Sequence, residues 1–377
     1  MKDFLNLKPG EVGIECRFAT YVKSPQPELP DLHLVKEQVH KDDGTIVPVV
    51  KAVYNYERPY WIVKKGYRNF NQPKEWIEKE RVNEFYSTQS DLLYRAASSL
   101  GKPYFKKSIK DLAAESPYLF GIDIKSTAVI KQDYMVKYPD LKTEYSVGVF
   151  DTETDVIHGT EEIIMATFSF GKICFTAVQK SFFKGIANPE KEVLEKTNKY
   201  LEEYITNRGI KPVLVIVDSE IDVLIETFKV IHEAKPDFLS IWNMKFDIGK
   251  ILEACERANF PIEHLMSDPS VPNDYRSFKF ILGPNQKKTA SGLVMPIKPA
   301  AQWHTVKCPA SFYVIDAMCA YKHTRMGEQE KKSYSLDFIL GEELNLGKLK
   351  FEEANHLSGL AWHKFMQEFY PVEYVVY

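Results

Sequence analysis

Residues 145–159 read YSVGVFDTETDVIHG. A β-prone run containing Tyr145, Val147, Val149 and Phe150 meets two acids, Asp151 and Glu153, one residue apart. On a strand, positions i and i+2 share a face and lie about 7 Å apart. Two like charges at the end of a core strand need compensation, and that need makes this stretch the key to the chain.

The neighbouring sequence supplies the sheet. EEIIMATFSFG and KICFTAVQ follow as further β-like runs, which predicts an antiparallel meander. ANPEKEVLEKTNKYLEEYITNRG predicts an amphipathic helix with Val193, Leu194, Tyr200, Leu201 and Ile205 on its apolar face, and PVLVIVDS a buried strand. EIDVLIETFKVIHEAK predicts a helix, PDFLSIWN a strand, and KFDIGKILEACERANF another helix. The expectation is an α/β sheet with its functional groups at strand ends.

The second motif lies in SIWNMKFDIGK, where Asn243 and Asp247 flank a strand-to-helix turn and Phe246 precedes the acid. Alone, each motif is weak, because DxE is common and Asn and Asp favour turns and caps. Together, both end β-like runs in one sheet. Three carboxylates gathered there cannot all stay ionised without compensation. Hard oxygen ligands select Mg²⁺ or Mn²⁺, and two such ions about 4 Å apart suit in-line phosphodiester hydrolysis.

FDTET, SIWNMKFDIGK and SYSLDFI…ELNLGKLKF resemble the exonuclease region of family B DNA polymerases, most closely the replicative polymerases of tailed phages. The approach SPYLFGIDIKSTAVIKQDYMVKYPDLK is similar to the link into that region. The resemblance implies an α/β fold, RNase H-like (DnaQ-type) with a mixed sheet, preceded by an α+β N-terminal domain. It implies 3′→5′ proofreading hydrolysis of DNA with two Mg²⁺ or Mn²⁺ ions. Asp151, Glu153 and Asp247 would be metal ligands, and Asn243 and Phe246 would contact the 3′-terminal nucleotides. A hairpin near 276–297, with a basic tip at Lys287 and Lys288, falls where the family has a strand-separating hairpin; a solvated loop is the other reading of that stretch.

The family's third motif is Tyr-x-x-x-Asp, and the resemblance places its Tyr at Tyr377, so the Asp would fall past the last residue. Asp337, in YSLD, is off by one residue and lies upstream of that motif in the family; Asp316 reads as a structural strand-end acid. The palm elements of such polymerases are absent, as are a Walker loop and an HExxH motif. The expectation is therefore a fragment or one part of a split polymerase, with the palm and the fourth carboxylate on a second chain or a downstream region. Implied partners are a single-stranded 3′ end, primer-template DNA and a sliding clamp, with the cytoplasm of a phage-infected cell as the setting. A non-catalytic DNA-binding and assembly module, and an RNA-directed nuclease of the same fold, stay open.

The 377 residues predict more than one domain: 1–140 as the α+β N-terminal domain, 141–360 as the exonuclease domain, and 361–377 as a helix leading into the third motif. In the first, HLVKEQVHKDDGTIVPVVKAVY predicts two strands around Asp43-Gly44 and RPYWIVKK another, while PKEWIEKERVNEFYS, opened by Pro73, and SIKDLAAES predict helices. A 44% hydrophobic share supports a large core, and a formal charge of −3 gives no global nucleic-acid signature. No apolar run approaches membrane-spanning length. Cys16, Cys174, Cys255, Cys308 and Cys319 read as buried thiols, and His158, His232 and His304 form no ligand-spaced set.

Overall fold

The computed structural model describes residues 3–26, 28–69, 71, 76–101, 111–112 and 116–377. The chain divides into two compact units, one of residues 1–144 with 269–276, the other of residues 145–268 with 277–377. The sequence reading put the division at 140/141 and all of 269–276 in the second unit.

In the first unit, β1 (Glu11–Val22), β2 (Leu32–Lys41) and β3 (Ile46–Tyr54) form an antiparallel sheet. Gly44 sits at φ 82 in the turn between β2 and β3, a conformation glycine adopts without penalty. A second sheet pairs β4 (Arg58–Val63) with β5 (Val82–Ser87) and β6 (Leu119–Phe120). Helix α1 (Leu92–Ser99) buries Leu92, Ala96 and Ala97 in the same cluster as Tyr60 and Ile62 of β4. Helix α2 (Ser126–Lys137) packs Ile130 and Tyr134 against Ile14, Val35 and Val39.

The helix expected from PKEWIEKERVNEFYS is corrected: Lys79–Arg81 is a single 3₁₀ turn and Val82–Ser87 is strand β5, paired antiparallel with β4. Cross-strand pairing overrides the helix propensity of the Glu- and Lys-rich stretch. Pro73, and most of the helix expected at SIKDLAAES, lie outside the described residues.

In the second unit, β7 (Val147–Thr154), β8 (Ile163–Phe170) and β9 (Ile173–Gln179) form the antiparallel meander. Helices α3 (Pro189–Tyr200) and α4 (Glu202–Arg208) follow, then β10 (Lys211–Val217), α5 (Glu220–Ala234), β11 (Phe238–Ile241) and α6 (Met244–Arg257). The one helix expected over 187–209 is broken at Leu201, whose φ of −115 and ψ of 21 leave the helical range. Strand β10 is a half-buried edge strand, contrary to the buried strand expected.

Helix α7 (Ile262–Met266), β12 (Lys279–Ile281), β13 (Gln286–Lys288), β14 (Val294–Pro296), β15 (Thr305–Lys307) and β16 (Tyr313–Asp316) come next. The chain closes with α8 (Ala317–Thr324), α9 (Leu336–Leu344), α10 (Gly359–Phe369) and α11 (Pro371–Val376). The main sheet has the order β10-β9-β8-β7-β11-β16; β11 runs parallel to both β7 and β16, so the sheet is mixed and the unit is α/β. The hairpin β13–β14 is exposed on both strands, and Lys287 and Lys288 lie on β13 rather than at the tip, which is residues 289–293.

Helices cover both faces of the sheet. On one, Phe150, Phe168 and Leu239 pack against Val223, Phe228, Ile248 and Ile251. On the other, Met165 and Val178 pack against Val193, Met366, Val372 and Tyr374. Each such side chain contributes about 1.5–3 kcal/mol by leaving water. Gly148 is required by this packing, because a Cβ there would lie 2.5 Å from Phe168. Cys16, Cys255 and Cys319 are buried, whereas Cys174 and Cys308 are only partly so. No described helix is long and apolar enough to cross a membrane.

Candidate carboxylate site

Strand β7 alternates: Gly148, Phe150, Thr152 and Thr154 are buried, while Val147, Val149 and Asp151 are exposed and Glu153 is half-buried. Asp151 and Glu153 therefore emerge on one face at the strand's C-terminal half, next to an irregularity in the β7–β8 ladder between Glu153 and Thr154. One strand over, β11 ends at Ile241 and the chain turns into α6, with Asn243 at its N-cap. The Asp247 amide donates to the Asn243 carbonyl at 3.1 Å, which fixes the acid in the helix's first turn. The turn from Asn243 to Asp247 brings the second motif to the first.

Asp151, Glu153, Asn243, Phe246 and Asp247 line one cavity of about 460 Å³, together with Thr152, Trp242, Lys348, His363 and Tyr374. Asp247 is 1% exposed. Its Oδ1 accepts from the Thr152 hydroxyl at 2.7 Å, but its Oδ2 is buried and has no hydrogen-bond partner. Burial, then the charge of Asp151, pushes its carboxyl up to about 7, against the opposing Thr152 bond. Asp151 keeps solvent contact through the cavity, yet protein surrounds its carboxyl on most sides. Burial first and Glu153 second push it up to about 6, while Lys348 pulls the other way.

Glu153 is held from the helical side. The Tyr374 hydroxyl donates to Glu153 Oε2 at 2.7 Å, and Lys348 Nζ lies 3.8 Å from Oε1. His363 Nδ1 is 2.7 Å from the Tyr374 oxygen. Because Tyr374 gives its only proton to the carboxylate, the neutral His363, its basicity lowered by burial and by Lys348, supplies an Nδ1–H to that oxygen. Burial opposes the charge of Lys348, but Glu153, Tyr377 and Asp151 together hold its ammonium above the usual lysine range.

Three of these groups, Lys348, His363 and Tyr374, escaped the sequence reading. KLKF entered it only as a carrier of resemblance. Tyr377, the tyrosine chosen there, packs against Trp362 with ring centroids 4.3 Å apart and planes tilted by 40°, under the Lys348 ammonium at 4.2 Å. It lines an adjoining, largely apolar groove that also reaches Asp151, Glu153, Lys348 and Tyr374.

The remaining candidates lie elsewhere. Lys287 and Lys288 line neither the carboxylate cavity nor that groove. Asp337 accepts from the Lys348 amide at 2.9 Å, and Asp316 caps α8 through the Cys319 amide while accepting from the His304 amide. His158 bonds Asp155, and His232 bonds the Leu265 carbonyl.

Among the described residues no group of three or more His, Cys, Asp or Glu is arranged to hold a metal ion. The orphaned Asp247 Oδ2 and the raised Asp151 and Asp247 carboxyls are nonetheless what a hard divalent cation would satisfy: it supplies the missing partner and removes the mutual repulsion. These two carboxylates fit one such cation; Glu153, engaged by Tyr374 and Lys348, does not join them as placed. No protein-family model matches the chain, and no curated protein matches it.

Proposed function

We propose that the second unit binds the 3′ end of a single DNA strand and hydrolyses its terminal phosphodiester, as the exonuclease portion of a family B DNA polymerase with an RNase H-like fold. The observation that carries this reading is the meeting, in one cavity, of Asp151, Glu153 and Asp247 with an orphaned buried carboxylate oxygen, beside Asn243 and Phe246. The antiparallel meander extended by parallel strands, with acids at the strand ends, supports the RNase H-like assignment.

On this reading Asp151 and Asp247 hold Mg²⁺ or Mn²⁺, which when bound neutralises phosphate charge and makes water a stronger nucleophile. Two carboxylates account for one ion; the second of the expected pair draws on Glu153 and on the fourth carboxylate, which this reading places, with the palm, on a second chain or a downstream region. Phe246, 41% exposed, offers a ring face to the terminal base, and the Asn243 amide has donors and acceptors for the same nucleotide. Tyr374 and His363 fix the rotamer of Glu153. Lys348 places a positive charge where the scissile phosphate gains negative charge.

The test is incubation of the chain with 3′-labelled single-stranded DNA and Mg²⁺, alone and with a polymerase-bearing partner chain. Release of nucleoside monophosphates that Asp151→Asn and Asp247→Asn both abolish is expected. Release that survives both substitutions overturns the assignment. The engagement of Glu153 by Tyr374 and Lys348 favours a second reading, a DNA-binding and assembly module that does not hydrolyse. That reading requires DNA binding with no release under either condition.

A further inference from the structure

The run PVLVIV, whose composition suits a strand buried within a sheet, instead forms β10 at the sheet's open edge. Among the described residues β10 pairs with β9 alone, in parallel, from Lys211 beside Ile173 to Val217 beside Gln179. The Lys211 amide donates to the Lys172 carbonyl at 2.7 Å. In a regular parallel ladder that bond turns the main-chain groups of Lys211, Val213, Val215 and Val217 toward β9. Those of Pro212, Leu214 and Ile216 then point away from the sheet. Pro212 has no N–H, so the open edge offers one carbonyl followed by complete donor–acceptor sets at Leu214 and Ile216.

Edge strands usually carry charges, bulges or short lengths that keep other strands off. Strand β10 has a proline near its start, but no charge from Pro212 to Val217 and no irregularity in its pairing with β9. Val213 is 42% exposed. Leu214 and Ile216 pack on the cluster of Val178 and Val193, and Val215 and Val217 on that of Val223 and Phe228. The strand is thus held from both faces, and a partner would meet an edge already ordered. Charge sits at its two ends: Lys211 at the start and Asp218 just past the finish are exposed and make no ion pair among the described residues. A strand that is positive at one end and negative at the other is complementary to its own antiparallel copy.

We propose that β10 is an interface with a second copy of this chain, joined antiparallel about a two-fold axis so that the two sheets become one. The backbone dictates the register. An axis at Val215 sets Leu214 opposite Ile216 of the second copy and satisfies both main-chain groups of each. It also sets Val213 opposite Val217 of the second copy, and brings Lys211 of each copy beside Asp218 of the other. An axis at Leu214 would instead leave the Ile216 carbonyl facing Pro212, which has no donor. The contact is the same on both copies and consumes the edge it uses, so assembly closes at a dimer. No residue of β10 lines the carboxylate cavity, and the inference stands apart from the functional reading above.

Sedimentation equilibrium of the whole chain, without DNA or divalent cation, from micromolar to submillimolar concentration, tests this. Wild type should show a monomer–dimer equilibrium. Val213→Lys should abolish it, because a lysine is accommodated at an exposed edge position of the monomer but not against Val217 in the joined sheet. Lys211→Glu and Asp218→Lys each turn attraction into repulsion at two symmetry-related pairs, and each should weaken the dimer about tenfold. Mixing these two charge variants should restore wild-type affinity as a heterodimer, a result that loss of folding cannot produce. A wild-type chain that stays monomeric at every concentration overturns the proposal. So does a dimer that Val213→Lys leaves intact, or a pair of charge variants that mixing does not restore.

Discussion

Replacing Asp247 by Asn should stabilise the second unit at neutral and alkaline pH when no divalent cation is present. Asn keeps an oxygen for the Thr152 hydroxyl, now at 2.7 Å from Oδ1, and removes a charge buried beside Asp151. The folded carboxyl titrates at about 7 against an ordinary 3.8. Each unit is equivalent to about 1.4 kcal/mol, so holding Asp247 ionised costs the native state at most about 4 kcal/mol. The group sits higher in the folded than in the unfolded state. Its contribution is therefore fully present at pH below 3.8 and is lost as pH rises through about 7. The new amide leaves its NH₂ where Oδ2 had no partner, a cost of about 2 kcal/mol. The net gain expected near pH 8 is about 2 kcal/mol.

For a unit of this size that gain is about 4–8 °C in the melting temperature. Thermal unfolding followed by circular dichroism, in EDTA near pH 8, should show the Asp247→Asn variant melting higher than wild type by that amount, with the difference gone or reversed near pH 4. Mg²⁺ near pH 8 should raise the wild-type melting temperature and leave the variant's unmoved, because binding stabilises only the state that holds the ion. A variant that melts below wild type near pH 8 in EDTA, or a gap between the two that does not change with pH, would refute the burial-and-repulsion account of this carboxylate.

Lys348→Met should raise the Asp151 titration above about 6, because it removes the cation that opposes burial and Glu153; carboxyl ¹³C shifts against pH measure this, and a downward shift contradicts the assigned field. Tyr374→Phe removes the donor to Glu153 and the partner of His363, and should cost about 1–3 kcal/mol by urea unfolding; a neutral result would show that the pair is not held as described. Gly148→Ala forces a Cβ to 2.5 Å from Phe168 in a filled core and should cost about 1–3 kcal/mol in the same assay, with a stable variant showing that the sheet can shift.

The sequence made the second unit's framework legible because its signals were local. Strand β7 alternates in burial as its composition suggests, and the turn between Asn243 and Asp247 is a strand end, a cap and a helix start in one stretch. The misreading of Val82–Ser87 came from the opposite case: its strand state is set by pairing with Arg58–Val63, which no window around residue 82 contains. The two tyrosines near the last helix pose a related problem. Tyr374 and Tyr377 are three residues apart on or beside α11, and which one reaches Glu153, 221 residues earlier in the case of Tyr374, depends on how Val372 and Met366 seat α10 and α11 on the sheet. Spacing within the chain cannot encode that choice.

The same packing explains why the site carries its charge in two unlike halves. Glu153 faces a tyrosine, a neutral histidine and a lysine, all reached from the helical side, and its negative charge is matched there. Asp151 and Asp247 face each other across strand and helix with only a threonine hydroxyl between the deeper one and full desolvation. Burial and mutual repulsion raise both carboxyls of such a pair, so each holds its proton to higher pH than an ordinary aspartate. On the proposed function a divalent cation competes with protons for these carboxyls, so cation affinity should rise with pH up to about 7 and level off above it.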